Sequence, residues 1–313
     1  MSTEESLVLR AAWLHFVGGL TQAEVAKRLG LPSVKTHRMI ARAVAEGAVK
    51  VSIDGDIVEC IELENQLRQR YGLAECRIAP DLGETGLPER ALGMAGAEYL
   101  KSLLSRGELK TLGLGHGRTL SAMVHQLPRM EVPDIRVVSL LGCLTRNYAL
   151  NPHDVMHRIA AKTGAMAYMM PVPFFANTAE DREVLLAQRG VSEVFQMAAE
   201  ADYKLVGIGT VEPATQLVES GMLEQRDMLA IARDGGEGEL LGHFVDRRGN
   251  ILHTTLTDRT LAVPLSLQRK ERIVALAGGP AKIGALRAVL NSGLLHGLIT
   301  DEKSARALVD NAE

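Results

Sequence analysis

The sequence predicts an α/β protein made of a small N-terminal helix-turn-helix domain and a large α/β body. Two short amphipathic segments, separated by a turn at Leu29–Pro32, lie between Leu20 and Gly47, an arrangement typical of a helix-turn-helix. Beyond residue 57, apolar strand-like segments alternate with helical ones. The first 50 residues carry seven basic and four acidic residues, although the whole chain has a net charge of −3. A basic head on an acidic body suits a protein that contacts a polyanion through the head alone.

The bulk composition indicates a globular protein of the cytoplasm. Of the 313 residues, 46% are hydrophobic and 23% are charged. The apolar segments stop well short of the ~20 residues that a membrane span needs, and the N-terminus has no secretory signal pattern. The three cysteines, Cys60, Cys76 and Cys143, lie far apart, which fits neither a disulfide framework nor a zinc site.

The first helix is predicted over residues 7–18, with Leu7, Ala11, Leu14 and Val17 along its apolar stripe. Trp13 and Phe16 lie in this helix. An aromatic pair there could form a base-stacking platform, but we interpret both side chains as core, the commoner place for a Trp in an amphipathic helix.

The second and third helices form the predicted DNA-binding unit. Thr21 and Glu24 have the spacing of a capping box, and Pro32 is suited to the start of a new helix at Ser33. Met39, Ile40 and Ala43 fall on the inner face with Thr36. The residues predicted to contact DNA are Thr21, Gln22, Ser33, Lys35, Thr36, His37, Arg38 and Arg42. A merely solvated helix face is the alternative, which the preceding helix, the turn and the local basic charge disfavour.

A short wing and a connecting helix are predicted after the third helix. Residues 48–53 alternate like a strand, and Asp54-Gly55 is a hairpin turn signal. A helical pattern follows from Ile57 to Tyr71 and is interpreted as the connector between head and body. We therefore expect a DNA-binding domain over residues 1–56 and a second domain, for effector binding and oligomerisation, over residues 57–313.

The body is predicted to contain a mostly parallel sheet covered by helices on both faces. The predicted strands are Cys76–Ala79, Thr111–Leu114, Ile135–Leu141, Ala167–Val172, Lys204–Ile208, Arg272–Ala277 and Gly297–Ile299. The predicted helices include Pro88–Leu104, Thr119–Gln126, Pro152–Lys162, Arg182–Ala187, Ala281–Asn291 and Asp301–Val309.

Glycine-rich turns follow several of these strands, where an open parallel sheet binds its ligands. The segments are Gly113–Thr119, Leu141–Cys143 followed by Asn147 and His153, Gly207–Gly209, and Ala277–Pro280 followed by Lys282. Gly113–Thr119 is neither a P-loop nor a dinucleotide fingerprint, and tight packing alone would also explain its glycines. The Asn, His, Arg and Lys side chains suit hydroxyl and phosphate groups of a sugar-like molecule.

Two of these residues have alternative interpretations. His153 and His157 have the spacing of a metal pair, but no third ligand lies near, so hydrogen bonding is favoured. Lys282 could form a Schiff base with an aldehyde, although binding an anion is the commoner role. We expect neither a metal nor a cofactor.

Several segments together resemble the SorC family of sugar-responsive bacterial transcriptional regulators, also called the deoxyribonucleoside-regulator type. They are LTQAEVAKRLGLPSVKTHRMIARAVAEGAVKV in the head, and GLGHGRTL, PVPFFANTAEDREVLL, VGIGTV and LAGGPAKIGALRAVLNSGLLHGLITDEKSARALV in the body. The resemblance covers residues 7–309, and its motifs occur in the family's order. It implies a body with a sugar-isomerase-like fold, shared with sugar-phosphate isomerases and coenzyme A transferases, that senses a sugar, polyol or sugar phosphate. It also implies a tetramer whose paired heads bind operator DNA.

The resemblance also implies which residues bind the effector. Its pocket motifs match at Gly115, His116, Gly117, Arg118, Thr119, Gly142, Asn147, Phe174, Phe175, Gly209, Asp246, Gly279 and Lys282. Two departures matter. Pro32-Ser33-Val34-Lys35 stands where the family usually has Ser-Arg-Ser-Lys, so base preference cannot be transferred, and the residues His116–Arg118 differ from other members, which puts a phosphorylated effector in doubt.

The expected function is that of a regulator, a repressor of a sugar or polyol catabolic operon, and not of an enzyme. Within the family, HDVMHRIAAKTG and PFFANTAEDREVLLAQRGV look most like regulators of erythritol or related polyol catabolism. The alternative is a sugar-phosphate isomerase-like enzyme with an added DNA-binding head. Fold alone permits it, but no acid–base pair for proton transfer can be placed from the sequence.

Overall fold

The computed structural model describes residues 3–49, 58–143, 155–212, 215–219, 221–266 and 271–310. The chain divides into two compact units, Met1–Gly55 and Asp56–Glu313, which we call the head and the body. Among the described residues, no helix has both the length and the apolar character needed to cross a membrane.

The described part of the head contains helices α1 (Thr3–Phe16), α2 (Gln22–Leu29) and α3 (Ser33–Ala45). The predicted capping box is present at the start of α2. The Thr21 hydroxyl accepts the Glu24 backbone N–H at 3.3 Å, and the Glu24 carboxylate accepts the Thr21 backbone N–H at 2.8 Å. Gly30 ends α2 with φ +66°, a conformation that costs glycine little. The chain then passes through Pro32 into α3, as the sequence predicts.

The core of the head is small and lies between all three helices. Its buried members are Val8, Ala11, Ala12, Val25, Met39, Ile40 and Ala43. Thr36 is also fully buried, and its hydroxyl donates to the Pro32 carbonyl at 3.3 Å. The prediction that Thr36 contacts DNA is therefore wrong, because its side chain belongs to the inner face of α3.

The aromatic residues of α1 lie at the surface, so their interpretation as core is wrong. Trp13 is 60% exposed and Phe16 is 42% exposed. Leu9 and Val17 are also exposed, and the four residues share one face of the helix at positions i, i+4, i+7 and i+8. We call these four residues the α1 stripe. Val8, Ala11 and Ala12 occupy the inner face instead, because small side chains let the three short helices approach closely.

The described residues of the body form eleven strands. They are β1 (Glu75–Ala79), β2 (Thr111–Leu114), β3 (Arg136–Ser139), β4 (Met166–Tyr168), β5 (Tyr203–Val206), β6 (Gly209–Thr210), β7 (Gly236–Leu240), β8 (His243–Asp246), β9 (Ile251–Leu252), β10 (Ile273–Leu276) and β11 (Gly297–Asp301). Within the described ranges, seven of them form a parallel sheet in the order β1-β11-β10-β5-β2-β3-β4. Each predicted strand overlaps one strand of this sheet, which confirms the predicted α/β class.

Helices cover both faces of this parallel sheet. They are α4 (Val58–Tyr71), α5 (Glu89–Ser105), α6 (Arg118–Gln126), α7 (Val155–Thr163), α8 (Ala179–Leu186), α9 (Arg189–Ala199), α10 (Gln216–Glu219), α11 (Gln225–Arg233), α12 (Ile283–Asn291) and α13 (Glu302–Asp310). Successive residues of β10 belong to different hydrophobic clusters, Ile273 and Ala275 to one and Val274 and Leu276 to the other. Because side chains alternate along a strand, the sheet is buried on both faces.

The strands β6, β7, β8 and β9 pair antiparallel as a second, smaller sheet that the sequence analysis missed. Its strands are two to five residues long, and β6 and β7 are rich in glycine and polar residues. Such short segments lack the apolar alternation by which strands are recognised.

The connecting helix α4 packs against the body. Cys60, Leu63 and Leu67 are buried, and the Arg70 guanidinium donates to the carbonyls of Leu308 and Val309 at 2.9 and 3.0 Å. The predicted wing strand depends on residues 50–57, which lie outside the described residues.

Candidate functional site

The strand order of the parallel sheet reverses direction between β2 and β5. From β2 the chain proceeds to β3 and β4 on one side, and from β5 it proceeds to β10 on the other. Right-handed connections in opposite directions leave a crevice between the loops at such a point, outside the carboxyl ends of the strands.

A cavity of about 220 Å³ occupies this crevice. Its lining residues are Leu87, Gly115, His116, Gly117, Arg118, Thr119, Leu141, Phe174, Gly207, Ile208, Gly209, Thr210, Glu212, Thr215, Leu217, Glu219, Glu239, Leu241, Ala281 and Lys282. The volume is below the ~300–1,000 Å³ of sites for drug-sized ligands. The cavity therefore suits a small polar molecule.

The loop Gly115–Thr119 forms one wall of the cavity and is fixed by hydrogen bonds on each side. The Gly115 N–H donates to the Leu205 carbonyl at 2.8 Å. The Thr119 hydroxyl, which is buried, donates to the Leu276 carbonyl at 2.9 Å. Gly117 has φ +128°, a conformation that a side chain would make unfavourable. These contacts hold a rigid wall with its backbone close to the cavity.

Two polar side chains of this loop differ in exposure. One imidazole nitrogen of His116 lies 3.3 Å from the Ser139 hydroxyl. The Arg118 side chain is 53% exposed and lies 4.0 Å from the Glu89 carboxylate. His116 is thus held inside the crevice, whereas Arg118 lies at its rim.

Lys282 and Glu239 bring opposite charges to the cavity. The Lys282 ammonium donates to the Ile208 carbonyl at 2.5 Å, and one oxygen of Glu239 accepts the Gly242 N–H at 2.6 Å. Burial lowers the pKa of Lys282 and raises the pKa of Glu239, while the charge of each group partly opposes the shift of the other. Lys282 was predicted from its glycine turn, whereas Glu239 was not predicted, because it lies in the small antiparallel sheet.

Gly142 and Phe175, predicted to bind the effector, lie outside the cavity. Gly142 lies so close to the Pro173 carbonyl that a Cβ would overlap it, and its N–H donates to the Leu261 carbonyl at 2.9 Å. Phe175 is buried and packs against Phe174, with ring centroids 4.3 Å apart and the ring planes tilted by 40°. Phe174 lines the cavity, so Phe175 supports it from behind.

Asp246 and Gly279 are also outside the cavity, and both predictions are corrected. Asp246 is the last residue of β8, and its carboxylate accepts the N–H groups of Arg248 and Asn250, in the turn that follows, at 2.8 and 2.9 Å. The Gly279 N–H donates to the Asp301 carboxylate at 2.9 Å and to the Ser304 hydroxyl at 2.8 Å. It is therefore engaged within the protein and is not turned towards a ligand.

Asn147 and His153, which were also predicted to bind the effector, lie outside the described residues. The alternative interpretation of His153 and His157 as a metal pair therefore depends on a residue outside them. No cluster of potential metal ligands occurs among the residues that the structure describes. Further lining groups that the sequence analysis missed include Glu212, Thr215 and Leu217. They lie in or next to α10, whose four residues are too few to show helical periodicity.

The predicted DNA-contacting face of the head is a surface of α2 and α3. Ser33, Lys35, His37 and Arg38 are exposed along α3. His37 lies 2.9 Å from the Gln22 side-chain oxygen and so links the two helices.

Two other predicted contacts of this face are engaged within the head. The Arg42 guanidinium lies 2.7 Å from the Glu46 carboxylate and 3.9 Å from that of Glu4, and the Glu46 carboxylate raises the pKa of Arg42. Thr21 is held in the capping box described above. Lys35 and Arg38 are therefore the more available cations, and their contact with DNA stays a prediction.

Known families and proteins match almost the whole length of this chain. A family described as "Putative sugar-binding domain" matches residues 55–310. The erythritol catabolism regulatory protein EryD of Brucella abortus (strain 2308) is 62% identical over 306 residues, which is 98% of this chain and 97% of that protein. The transcriptional regulator LsrR of Enterobacter sp. (strain 638) is 32% identical over 312 residues, 98% and 94% of the two chains.

Solved structures share the fold. The full-length sorbitol operon regulator SorC from Klebsiella pneumoniae aligns over 98% of this chain and 100% of its own, with a TM-score of 0.72 and 22% identity. A domain of a possible sugar-binding transcriptional regulator from Arthrobacter aurescens TC1 aligns over 82% of this chain and 100% of its own, with a TM-score of 0.71 and 27% identity.

Proposed function

The chain belongs to the sugar-binding-domain family of transcriptional regulators, and from this membership we propose that it controls an operon for polyol catabolism in response to the polyol. It is a transcriptional regulator and not an enzyme. The observation that carries the proposal is the 62% identity to the erythritol catabolism regulator, which extends through head and body alike. The effector that we propose is erythritol or a closely related short polyol.

The cavity at the switch point supports this choice of effector. A short polyol presents only hydroxyl groups, each of which both donates and accepts hydrogen bonds. Lys282 and Arg118 offer donors, and Glu239 offers acceptors. The volume of about 220 Å³ also favours a small ligand. We assign effector binding to these residues together with His116 and Thr119.

We propose operator DNA as the partner of the head. The proposed assembly is a homotetramer, and its proposed location is the cytoplasm. The α1 stripe supports pairing of two heads, because it places exposed apolar side chains on one helix face. Its four residues are far fewer than the ~20–30 residues that each partner contributes to a stable interface. The bodies must therefore supply most of the association free energy.

The proposed mechanism is linkage between two sites. If the polyol binds one arrangement of the bodies more tightly than another, it changes the population of that arrangement and hence the spacing of paired heads. Operator half-sites a whole number of DNA turns apart then fit less well. A hundredfold loss of operator affinity requires only about 2.7 kcal/mol of coupling.

The test is fluorescence anisotropy with labelled DNA from the promoter region upstream of the protein's own gene cluster. We expect sequence-specific binding that erythritol weakens by about a hundredfold, with glucose as a control that leaves binding unchanged. The proposal is wrong if the full-length protein binds this DNA no better than a scrambled fragment, or if none of a panel of four- and five-carbon polyols changes binding.

A further inference from the structure

The last turn of α13 is held by arginines from two other helices. The last carbonyls of a helix have no partner within the helix and carry a partial negative charge. In α13, the Ala307 carbonyl accepts from the Arg287 guanidinium of α12 at 3.2 Å. The carbonyls of Leu308 and Val309 accept from the Arg70 guanidinium of α4 at 2.9 and 3.0 Å. We call these three hydrogen bonds the arginine clamp, which joins α12, α13 and α4.

The opposite ends of α12 and α13 meet next to the cavity. Lys282, which lines the cavity, directly precedes α12, and Arg287 follows it by between one and two helical turns. The glycine turn before Lys282 is bound to the start of α13, because the Gly279 N–H donates to Asp301 and Ser304 at 2.9 and 2.8 Å. The two helices therefore connect the wall of the cavity with the arginine clamp.

Buried packing joins α4 to α13 beside the clamp. Cys60, Leu63 and Leu67 of α4 belong to the same hydrophobic cluster as Ala305 and Leu308 of α13. Close-packed helices shift as units, because a packed core does not deform continuously. Since α4 follows the head in the chain, a shift of α13 that the clamp passes to α4 changes where the chain enters the body.

A ligand in the cavity acts on the start of α12 through Lys282. The Lys282 ammonium donates to the Ile208 carbonyl. A ligand hydroxyl that accepts from the same ammonium competes with that carbonyl. It thereby favours a different position of Lys282 and of the helix that begins next to it, and coupling of this kind travels through contiguous packed elements.

We propose that Arg70 and Arg287 are positioning residues for the response to the effector: the arginine clamp passes a shift of α12 and α13 to α4, and so couples effector binding to operator binding. This inference rests on the proposed function, because it needs an effector that changes operator affinity. Arg70 and Arg287 lie outside the cavity lining and outside the head. They therefore act on the coupling and not on either binding site.

The test measures, for the full-length protein and its variants, operator affinity with and without erythritol by fluorescence anisotropy. Calorimetry gives the erythritol affinity of the free protein. In the wild type, erythritol should weaken operator binding by about a hundredfold. In Arg70→Gln this factor should fall to about tenfold or less, as expected for loss of a charge-assisted hydrogen bond. The separate affinities for erythritol and for ligand-free operator binding should stay close to those of the wild type.

Two further variants separate the clamp from a general effect on the fold. Arg287→Gln should lower the coupling as Arg70→Gln does, and the double variant should lower it no further, because both arginines lie on one path. Arg70→Lys keeps the positive charge and can donate to both carbonyls, so it should retain most of the coupling.

The matched control is Arg68→Gln. It removes the same charge from an exposed position of the same helix, two residues before Arg70. Its coupling should equal that of the wild type.

Full coupling in Arg70→Gln or in Arg287→Gln would overturn the proposal and leave the proposed function standing. An equal loss of coupling in Arg68→Gln would also overturn it, because the charge of α4 would then matter and not the clamp. If Arg70→Gln loses ligand-free operator binding, Arg287→Gln decides by the same criteria, since it breaks the other side of the clamp. A wild type whose operator binding ignores erythritol refutes the proposed function itself, and the clamp then has nothing to couple.

Discussion

Operator binding should weaken as the salt concentration rises, because exposed cations of the head are expected to contact DNA phosphates. Four exposed cations lie on α2 and α3 of each head without a carboxylate partner among the described residues. They are Lys27, Arg28, Lys35 and Arg38. Arg42, in contrast, is paired with Glu46 at 2.7 Å. If two heads pair on one operator, as proposed, they bring eight of these cations to the DNA. Should all eight contact phosphates, the slope of log affinity against log salt would be about −7.

Lys35→Ala removes one such cation from each of two heads. If both contact phosphates, the magnitude of the slope falls by ~1.8, and at ~0.15 M salt the affinity falls by roughly thirtyfold. Erythritol binding should be unchanged, because Lys35 belongs to the head. The assay is fluorescence anisotropy with the operator fragment at five salt concentrations between ~50 and ~300 mM, a range in which phosphate contacts dominate the salt effect.

The matched control is the double variant Arg42→Ala with Glu46→Ala, which removes an ion pair without changing the net charge of the head. Its slope should equal that of the wild type. The account of the DNA-binding face is refuted if Lys35→Ala leaves the slope unchanged. It is also refuted if the double variant lowers the slope as much, since Arg42 would then be a phosphate contact in spite of its pairing.

Three further predictions concern the body. Gly209→Ala should abolish the response to erythritol in calorimetry but leave ligand-free operator binding intact, because the new Cβ displaces the Glu239 carboxylate; an unchanged erythritol affinity would contradict this. Burial raises the pKa of Cys76 to about 12, so at pH 8 only roughly one Cys76 thiol in ten thousand is ionised. The exposed Cys143 should therefore react first with an aromatic disulfide reagent, and modification of both at similar rates in the native protein would argue against the fold. Burial lowers the pKa of His243, so the unfolded chain binds more protons than the folded chain, and stability should fall as pH drops below ~6.5. His243→Gln should flatten the dependence of Tm on pH between ~7 and ~5, and an unaltered curve would rule out this role.

Most of the parallel sheet could be predicted from the sequence because its strands are buried on both faces. Segments such as Ile273–Leu276 are continuously apolar and lie between helices. The helices α2 and α3 of the head could also be predicted, since the Thr21 capping box and Pro32 mark where they begin. Local signals of this kind do not depend on the rest of the fold.

The parts that the sequence could not reveal depend on tertiary packing. Glu239 became a cavity residue only because β7 pairs with β6 and places it opposite Gly209. Trp13 was expected in the core, but the periodicity of α1 alone does not say which of two apolar faces is covered. Gly279 was a plausible ligand contact until the structure showed its N–H bound to Asp301. A glycine turn therefore indicates close packing without identifying what lies against it.

The erythritol affinity of the protein, measured with and without saturating operator DNA, decides whether the effector site and the DNA-binding site are coupled. A coupling between two sites must be reciprocal. If erythritol weakens operator binding by about a hundredfold, operator DNA must weaken erythritol binding by the same factor. We expect calorimetry on the full-length protein to return equal factors in both directions. Equal erythritol affinities for the free and the DNA-bound protein would contradict the account.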